Sequence, residues 1–188
     1  MRSEEALKIG FRKLVSSSRV NNVSIIDICR EANVSRRTFY TVFNSKDSLV
    51  ESILEDDLVK PVYVLNDFFG VGKLEATPLL LSERVFTNFY ENRDFYLNLL
   101  SDREMQQFFV EQVTKKNQRL IGELLAQAGE PDEERGYLIY LLSSSQAMLL
   151  LKWISEGMVV SPQKMAQYNA KWLLPIISAK TIEHNTGA

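Results

Sequence analysis

An all-α fold follows from three features of the sequence. Apolar residues recur at helical rather than alternating spacing, Ser repeatedly stands just before such runs, and Pro and Gly gather between them. No strand-like alternation and no internal repeat interrupts the pattern. A hydrophobic content of 45% with 24% charged residues over 188 residues is that of a soluble globular chain. The length suffices for one core, or for a small module fixed to a larger one.

Leu7, Phe11, Leu14 and Val15 recur at i, i+4, i+7 and i+8, which predicts a helix over 3–17, broken by "SSSRVNN". Ser24 precedes Ile25, Ile28, Cys29 and Ala32, with Asp27 three residues on, so it is expected to cap a second helix that ends at Asn33. Ser35 opens a third short helix, and Ser45 a fourth that is expected to stop near Val59, before Pro61. "DFFGVGKLEATP" (67–78) reads as a helix end and a loop. Further helices are predicted over roughly 79–91, 93–101, 104–128, 132–157 and 162–175. Gly129 and Pro131 break the chain before one of these, and Ser161–Pro162 opens the last.

The charge is unevenly spread. Residues 1–46 carry nine Lys/Arg against four Asp/Glu, and residues 47–188 carry 13 against 20. A basic quarter on an acidic body is the footprint of a nucleic-acid reader coupled to another function. The single cysteine, Cys29, excludes an internal disulfide, and with the single histidine, His184, it leaves little for a metal site. No cofactor is expected. Nor is catalysis, since no nucleophile with a base and no glycine-rich phosphate loop is visible, and "EDD" and "DDLVK" read as helix-surface charge. "MRSEEALKIGFRKL" has no apolar signal-peptide region, so a cytoplasmic location is expected. "YLIYLLSSSQAMLLLKWI" (137–154) is strongly apolar, but three serines, Gln146 and Lys152 point to a helix buried on two sides rather than a membrane span.

The two short helices joined by "EANVS" form a helix-turn-helix candidate, with Asn33 tolerating the left-handed backbone that such a turn needs. On the second of them Phe39, Val42 and Phe43 share one face, and Arg36, Arg37, Tyr40, Thr41 and Asn44 the other. Arginine can bond a guanine edge, threonine a base or phosphate, and tyrosine and lysine commonly hold phosphates. From spacing alone, a solvated basic surface helix fits equally well.

Ser24-Ile25-Ile26-Asp27-Ile28-Cys29, then Ala32-Asn33-Val34-Ser35-Arg36-Arg37-Thr38-Phe39-Tyr40, Phe43, and Ser45-Lys46-Asp47 with Leu49, resemble the N-terminal domain of the TetR family of transcriptional regulators. That family's pattern runs T-V-x-D-I-A, A-G-V-S-K-G-T-F-Y-x-H-F, S-K-E-x-L. Asn33 stands for its turn glycine, Arg37 for a small residue and Val42 for its histidine. The resemblance implies a helix-turn-helix domain over 1–46 and a helical effector-binding and dimerisation domain over 47–188, with helix 45–59 connecting them. It implies base or groove contacts for Arg36, Arg37 and Thr38, and phosphate contacts for Ser24, Tyr40 and Lys46. Ser35 is to cap the recognition helix and touch phosphate, while Phe11, Ile28, Phe39 and Phe43 form core.

In the resembled family the last two long helices make a four-helix dimer interface. Tyr137, Tyr140, Leu141, Met148 and Leu151 share one face of helix 132–157, and Ile139, Leu142, Gln146, Leu149, Leu150 and Trp153 the other. The interface is expected at Leu142, Leu149, Leu150 and Trp153, with Met165 and Trp172 from the last helix. A mostly apolar effector pocket is expected around Phe89, Tyr96, Phe108, Gln112, Tyr140 and Gln146. "LLKWISEGMVVSPQKMA" is similar to the C-terminal domains of a subset related to a dihydroxyacetone-kinase regulator. The expected function is that of a homodimeric repressor on a palindromic double-stranded operator, released by an effector of unknown identity. The alternative is an adaptor or activator whose body binds a protein partner.

Overall fold

The computed structural model describes residues 2–69, 77–126 and 133–185. Helix α1 (Ser3–Ser17) buries Leu7, Phe11 and Val15 along one stripe, as their spacing requires. That stripe packs on α2 (Ile25–Glu31) and α3 (Arg36–Val42), whose Ile28, Cys29 and Phe39 are buried with Phe43 just beyond. Ser24 begins α2 with a reciprocal cap: Asp27 N–H donates to its hydroxyl, and its own N–H donates to the Asp27 carboxylate. The turn after α2 closes by the Val34 N–H donating to the Cys29 carbonyl at 3.0 Å, with Asn33 at φ 53°. Gly10 is what lets α1 lie against this turn. A Cβ there would stand 3.2 Å from the Ala32 nitrogen.

Helix α4 (Lys46–Leu54), capped by Ser45, does not end before Pro61. It passes through one π-helical turn (Glu55–Val59) and continues as α5 (Lys60–Phe69). Proline has no N–H and cannot bond the carbonyl four residues back, which is that of Asp57. The wider turn accommodates this, the Lys60 N–H reaching back to Glu55. The freed Asp57 carbonyl is satisfied from elsewhere, by the Asn88 side-chain amide at 3.2 Å.

The body consists of α6 (Thr77–Glu91), α7 (Arg93–Leu99), α8 (Arg103–Ala126), α9 (Glu133–Ser155) and α10 (Pro162–Asn185). Among the described residues there is no strand. Helix α9 packs along α8, and α10 along α6. The predicted break at Gly129 and Pro131 lies outside the described residues, as does most of the loop predicted at 67–78. Helix α10 passes through Pro175 instead of stopping there, since one proline removes one hydrogen bond and the helix resumes beyond it.

The two faces of α9 are the reverse of expectation. Leu142, Leu150 and Trp153 are buried within their own chain, as is Met165 on α10, and Leu149 is half-buried. The Trp153 indole donates to the Val160 carbonyl at 2.8 Å and its ring meets Phe86 edge-on. Hence four of the six residues expected at a dimer interface are already spent on the core. The outward stripe is Tyr137, Tyr140, Leu141 and Met148, of which Tyr137 is 70% and Leu141 63% exposed. On α10 Trp172 is 54% exposed and stacks on Tyr168. Helix α9 is long and apolar enough to cross a membrane, but one side of it is packed against neighbouring helices.

"EDD" is not surface charge. Glu55 accepts from Lys116 and Arg119 of α8, at 2.8 and 2.7 Å. Asp56 pairs with Lys8 of α1 at 2.8 Å and with Lys60. Buried Asp57 accepts from Arg12 of α1 at 2.9 Å and from the Tyr96 hydroxyl of α7. Burial opposes ionisation of Glu55 and Asp56, but the Lys and Arg donors outweigh it and hold both carboxyls below the ordinary range. For Asp57 burial wins, and its carboxyl is raised despite Arg12.

These directions fix an acid response. A lowered folded pKa contributes stability above the unfolded value that is lost as pH falls through the folded one, which for Glu55 and Asp56 lies below the ordinary carboxylate range. Asp57 has the opposite sign and takes up its proton first. Thermal melts of wild type and Glu55→Gln between neutral and acid pH are expected to converge as acid removes what the variant already lacks. A constant gap between them would contradict this assignment. At the turn, Asn33→Val is expected to cost about 1–2 kcal/mol of stability in denaturant titration, because a β-branched residue disfavours positive φ, whereas Asn33→Gly should be near neutral.

Candidate nucleic-acid interface

Phe39 anchors α3 from below, fully buried, with Phe43 at 6.1 Å and the edge of Tyr40 at 5.4 Å between ring centroids. The helix therefore turns Arg36, Arg37, Tyr40 and Thr41 outward, with Asn44 just after it. Val42 joins them on the exposed side instead of the apolar face, because Phe39 and Phe43 already fill the contact with α1 and α2. Neither Arg36 nor Arg37 has an ion pair among the described residues, whereas Lys8, Arg12, Lys13 and Arg30 of the same head are each bound to a carboxylate. Arg19, exposed at the turn before Ser24, is likewise unpaired. Sequence reasoning passed over it, though a lone cation in a polar break was the available signal.

The remaining predicted contacts are engaged locally. The Ser24 hydroxyl donates to Asp27 at 2.5 Å. Ser35 caps α3, accepting from the Thr38 N–H at 3.0 Å, and its hydroxyl pairs with that of Thr38 at 2.8 Å. The Lys46 ammonium donates to the Val23 carbonyl at 3.0 Å and, more weakly, to that of Val20 at 3.4 Å. It thereby ties the start of α4 to the turn leading into α2. What remains uncommitted on α3 is two guanidinium groups and a phenol, held over a rigid aromatic base.

Two family models match the chain. The one described as the bacterial regulatory proteins of the tetR family covers residues 20–53, and a transcriptional regulator C-terminal region covers 77–173. The chain belongs to the TetR family of transcriptional regulators. Over 109 residues it is 27% identical to the HTH-type dhaKLM operon transcriptional activator DhaS of Lactococcus lactis, a match spanning 57% of this chain and 54% of that protein. The chain thus aligns with about half the length of that curated relative. Among solved structures, a dihydroxyacetone kinase operon activator DhaS superposes with a TM-score of 0.66 at 20% identity, over 94% of this chain and 97% of the other. A TetR-family regulator from Syntrophomonas wolfei gives 0.63 at 17% identity, over 94% and 95%. One from Streptococcus agalactiae gives 0.52 at 20%, over 91% and 93%. At such identities these structures share the fold. The first family match, over residues 20–53, falls on the α2–α3 pair just described and on α4.

In this TetR-family body, the residues expected to line a pocket are only partly brought together. Phe89 and Tyr96 are fully buried with ring centroids 4.4 Å apart, and the third ring of their cluster is Phe109, not Phe108. Gln112, one turn along from Phe109, is buried with its side-chain oxygen unpaired. Phe108 and Gln146 are half-buried, and Tyr140 lies on the outer stripe of α9, away from this interior. Burial, with the charge of Asp57 behind it, pushes the Tyr96 phenol well above its usual value, so it stays protonated and donating.

The Lys46 geometry generates a two-way test. Lys46→Met is expected to lower the stability of the purified chain by about 1–2 kcal/mol, the order of a hydrogen bond from a charged donor. A purely phosphate-bound lysine would instead leave stability unchanged and reduce the salt slope of DNA binding by about one. Denaturant titration and salt-dependent DNA binding of the same variant separate the two.

Proposed function

We propose that this regulator works as a homodimer on a two-fold-symmetric operator, with α3 of each protomer in the major groove. The observation that carries the reading is the pair of exposed, unpaired guanidinium groups of Arg36 and Arg37 on a helix pinned by Phe39. In it Arg36, Arg37 and Thr38 address base edges or the groove. Tyr40 and Arg19 hold phosphates, and the Ser24 and Ser35 caps with Lys46 set the frame and lie beside the backbone. One short helix reads few base pairs, so two copies are needed. The exposed apolar stripe of α9 (Tyr137, Tyr140, Leu141, Met148) with Tyr168 and Trp172 of α10 supports the pairing surface. The protein works in the cytoplasm, where its DNA is.

The effector is read by the body interior. Buried aromatic rings and the unpaired oxygen of Gln112 favour a small molecule that offers a hydrogen-bond donor. Its binding would stabilise the body conformation that takes the heads off the operator, so that the regulator represses. A second reading, activation with a protein partner on the body, is favoured by one observation: the curated relative is an operon activator.

Fluorescence anisotropy on DNA upstream of the chain's own gene tests the reader. Binding should weaken steeply with salt, and Arg37→Ala should cost about 1–3 kcal/mol on the operator while flattening sequence preference at one position. Equal losses on operator and random DNA would remove Arg37 from base contact. Sedimentation of Leu141→Glu/Trp172→Glu should give monomers, and retention of the dimer would move the interface elsewhere. A promoter fusion with and without the gene decides between repression and activation.

A further inference from the structure

Three consecutive residues, Glu55, Asp56 and Asp57, hold four other helices. Glu55 binds α8 through Lys116 and Arg119, Asp56 binds α1 through Lys8, and Asp57 binds α1 through Arg12 and α7 through Tyr96. The Asp57 carbonyl, released by Pro61, is taken by Asn88 of α6. Arg12 is held on two sides, its Nη2 on both Asp57 oxygens at 2.9 Å and its guanidinium carbon 5.2 Å from the Phe95 ring centre. Lys8, Arg12 and Lys116 are all largely buried, so these are not the screened surface pairs that contribute little.

Buried ion pairs add little net stability over apolar packing of the same volume, but they are directional. Apolar contacts such as Phe11 against Phe95, also part of the α1–α7 packing, can slide with small change in free energy. A guanidinium on a buried carboxylate cannot. The head is tied to the body by just such bonds, two of them from α1. The orientation of α1 fixes that of α3, which is packed on it.

We infer that the Glu55–Asp57 turn sets the angle at which each reading head leaves the body, and so selects the half-site spacing the dimer accepts, with Arg12 as the positioning residue on the head side. This rests on the operator reading above. No contact of Arg12 to DNA is invoked.

The test uses the full-length chain and the operator, taken from binding selection if it does not lie upstream of the gene. One or two base pairs are added or removed between its half-sites, and a single half-site duplex serves as reference. Each base pair turns the second half-site by roughly 35°, so wild type is expected to lose about tenfold in affinity per pair. Arg12→Met should keep half-site binding within about twofold while losing most of that tenfold discrimination or moving its optimum, and Arg12→Lys, which keeps the charge but not the planar fork, should restore only part of it. If Arg12→Met melts below the assay temperature, Asp57→Asn, which keeps the shape of the side chain, carries the same expectation. A merely structural role would weaken all spacings alike and leave the optimum in place, which overturns the inference. So does a wild type indifferent to spacing. A wild type that binds no selected DNA overturns the operator reading and takes this inference with it.

Discussion

The contact between Arg12 and buried Asp57 is where the two halves of this molecule become one. Without it, α1 would be held by apolar surface against α7, by the Asn98 amide on the Ser16 carbonyl, and by the Lys8–Asp56 pair to the π turn. Its position follows from a backbone constraint four residues later in the chain. Pro61 cannot bond the Asp57 carbonyl, the helix widens, and three acids are presented to three separate helices. One buried cluster accordingly runs from Leu7 in the head to Ala166 in the last helix. A head attached in this way is oriented as well as tethered.

The recognition surface is built by subtraction. A bare count of donors on and around α3 would include hydroxyls, an ammonium and guanidinium groups alike. Hydrogen bonding fixes Ser24, Ser35 and Thr38 within caps and Lys46 on carbonyls, whereas Arg36, Arg37 and Tyr40 carry no such local tie among the described residues. Groups held in caps cost little to present to a phosphate, because their positions are fixed before binding. Long side chains pinned only at their base can adapt to a base edge. The head combines both kinds.

How much of this was readable in the sequence depended on whether local spacing carried the information. The helix-turn-helix was legible because caps, turn and apolar anchors recur at fixed short intervals: Ser24 with Asp27, Asn33 at positive φ, Ser35 ahead of Phe39. The sides of α9 were not, since a helix apolar all round looks the same from either side, and only packing on α8 and against Phe86 decides which is inner. Three acids in a row look like surface until Lys8, Arg12 and Lys116, distant in sequence, are seen to meet them. Proline usually ends helices, so the sequence predicts one stop before Pro61, and it places a second helix end at 175. Here a π turn absorbs the first, and α10 runs through the second.

Cys29 gives the head a property of its own. It is the chain's single cysteine, buried beneath the α2–α3 turn, and its thiol is held above its usual pKa by burial. A protonated, enclosed thiol reacts slowly with thiol-specific alkylating reagents, so the protein offers no accessible thiol while the head is closed. Thiol alkylation therefore reports opening of the reading head, since Cys29 is the single thiol in the chain. Its rate measures the local unfolding free energy of the DNA-binding module inside the intact chain, separately from the global transition.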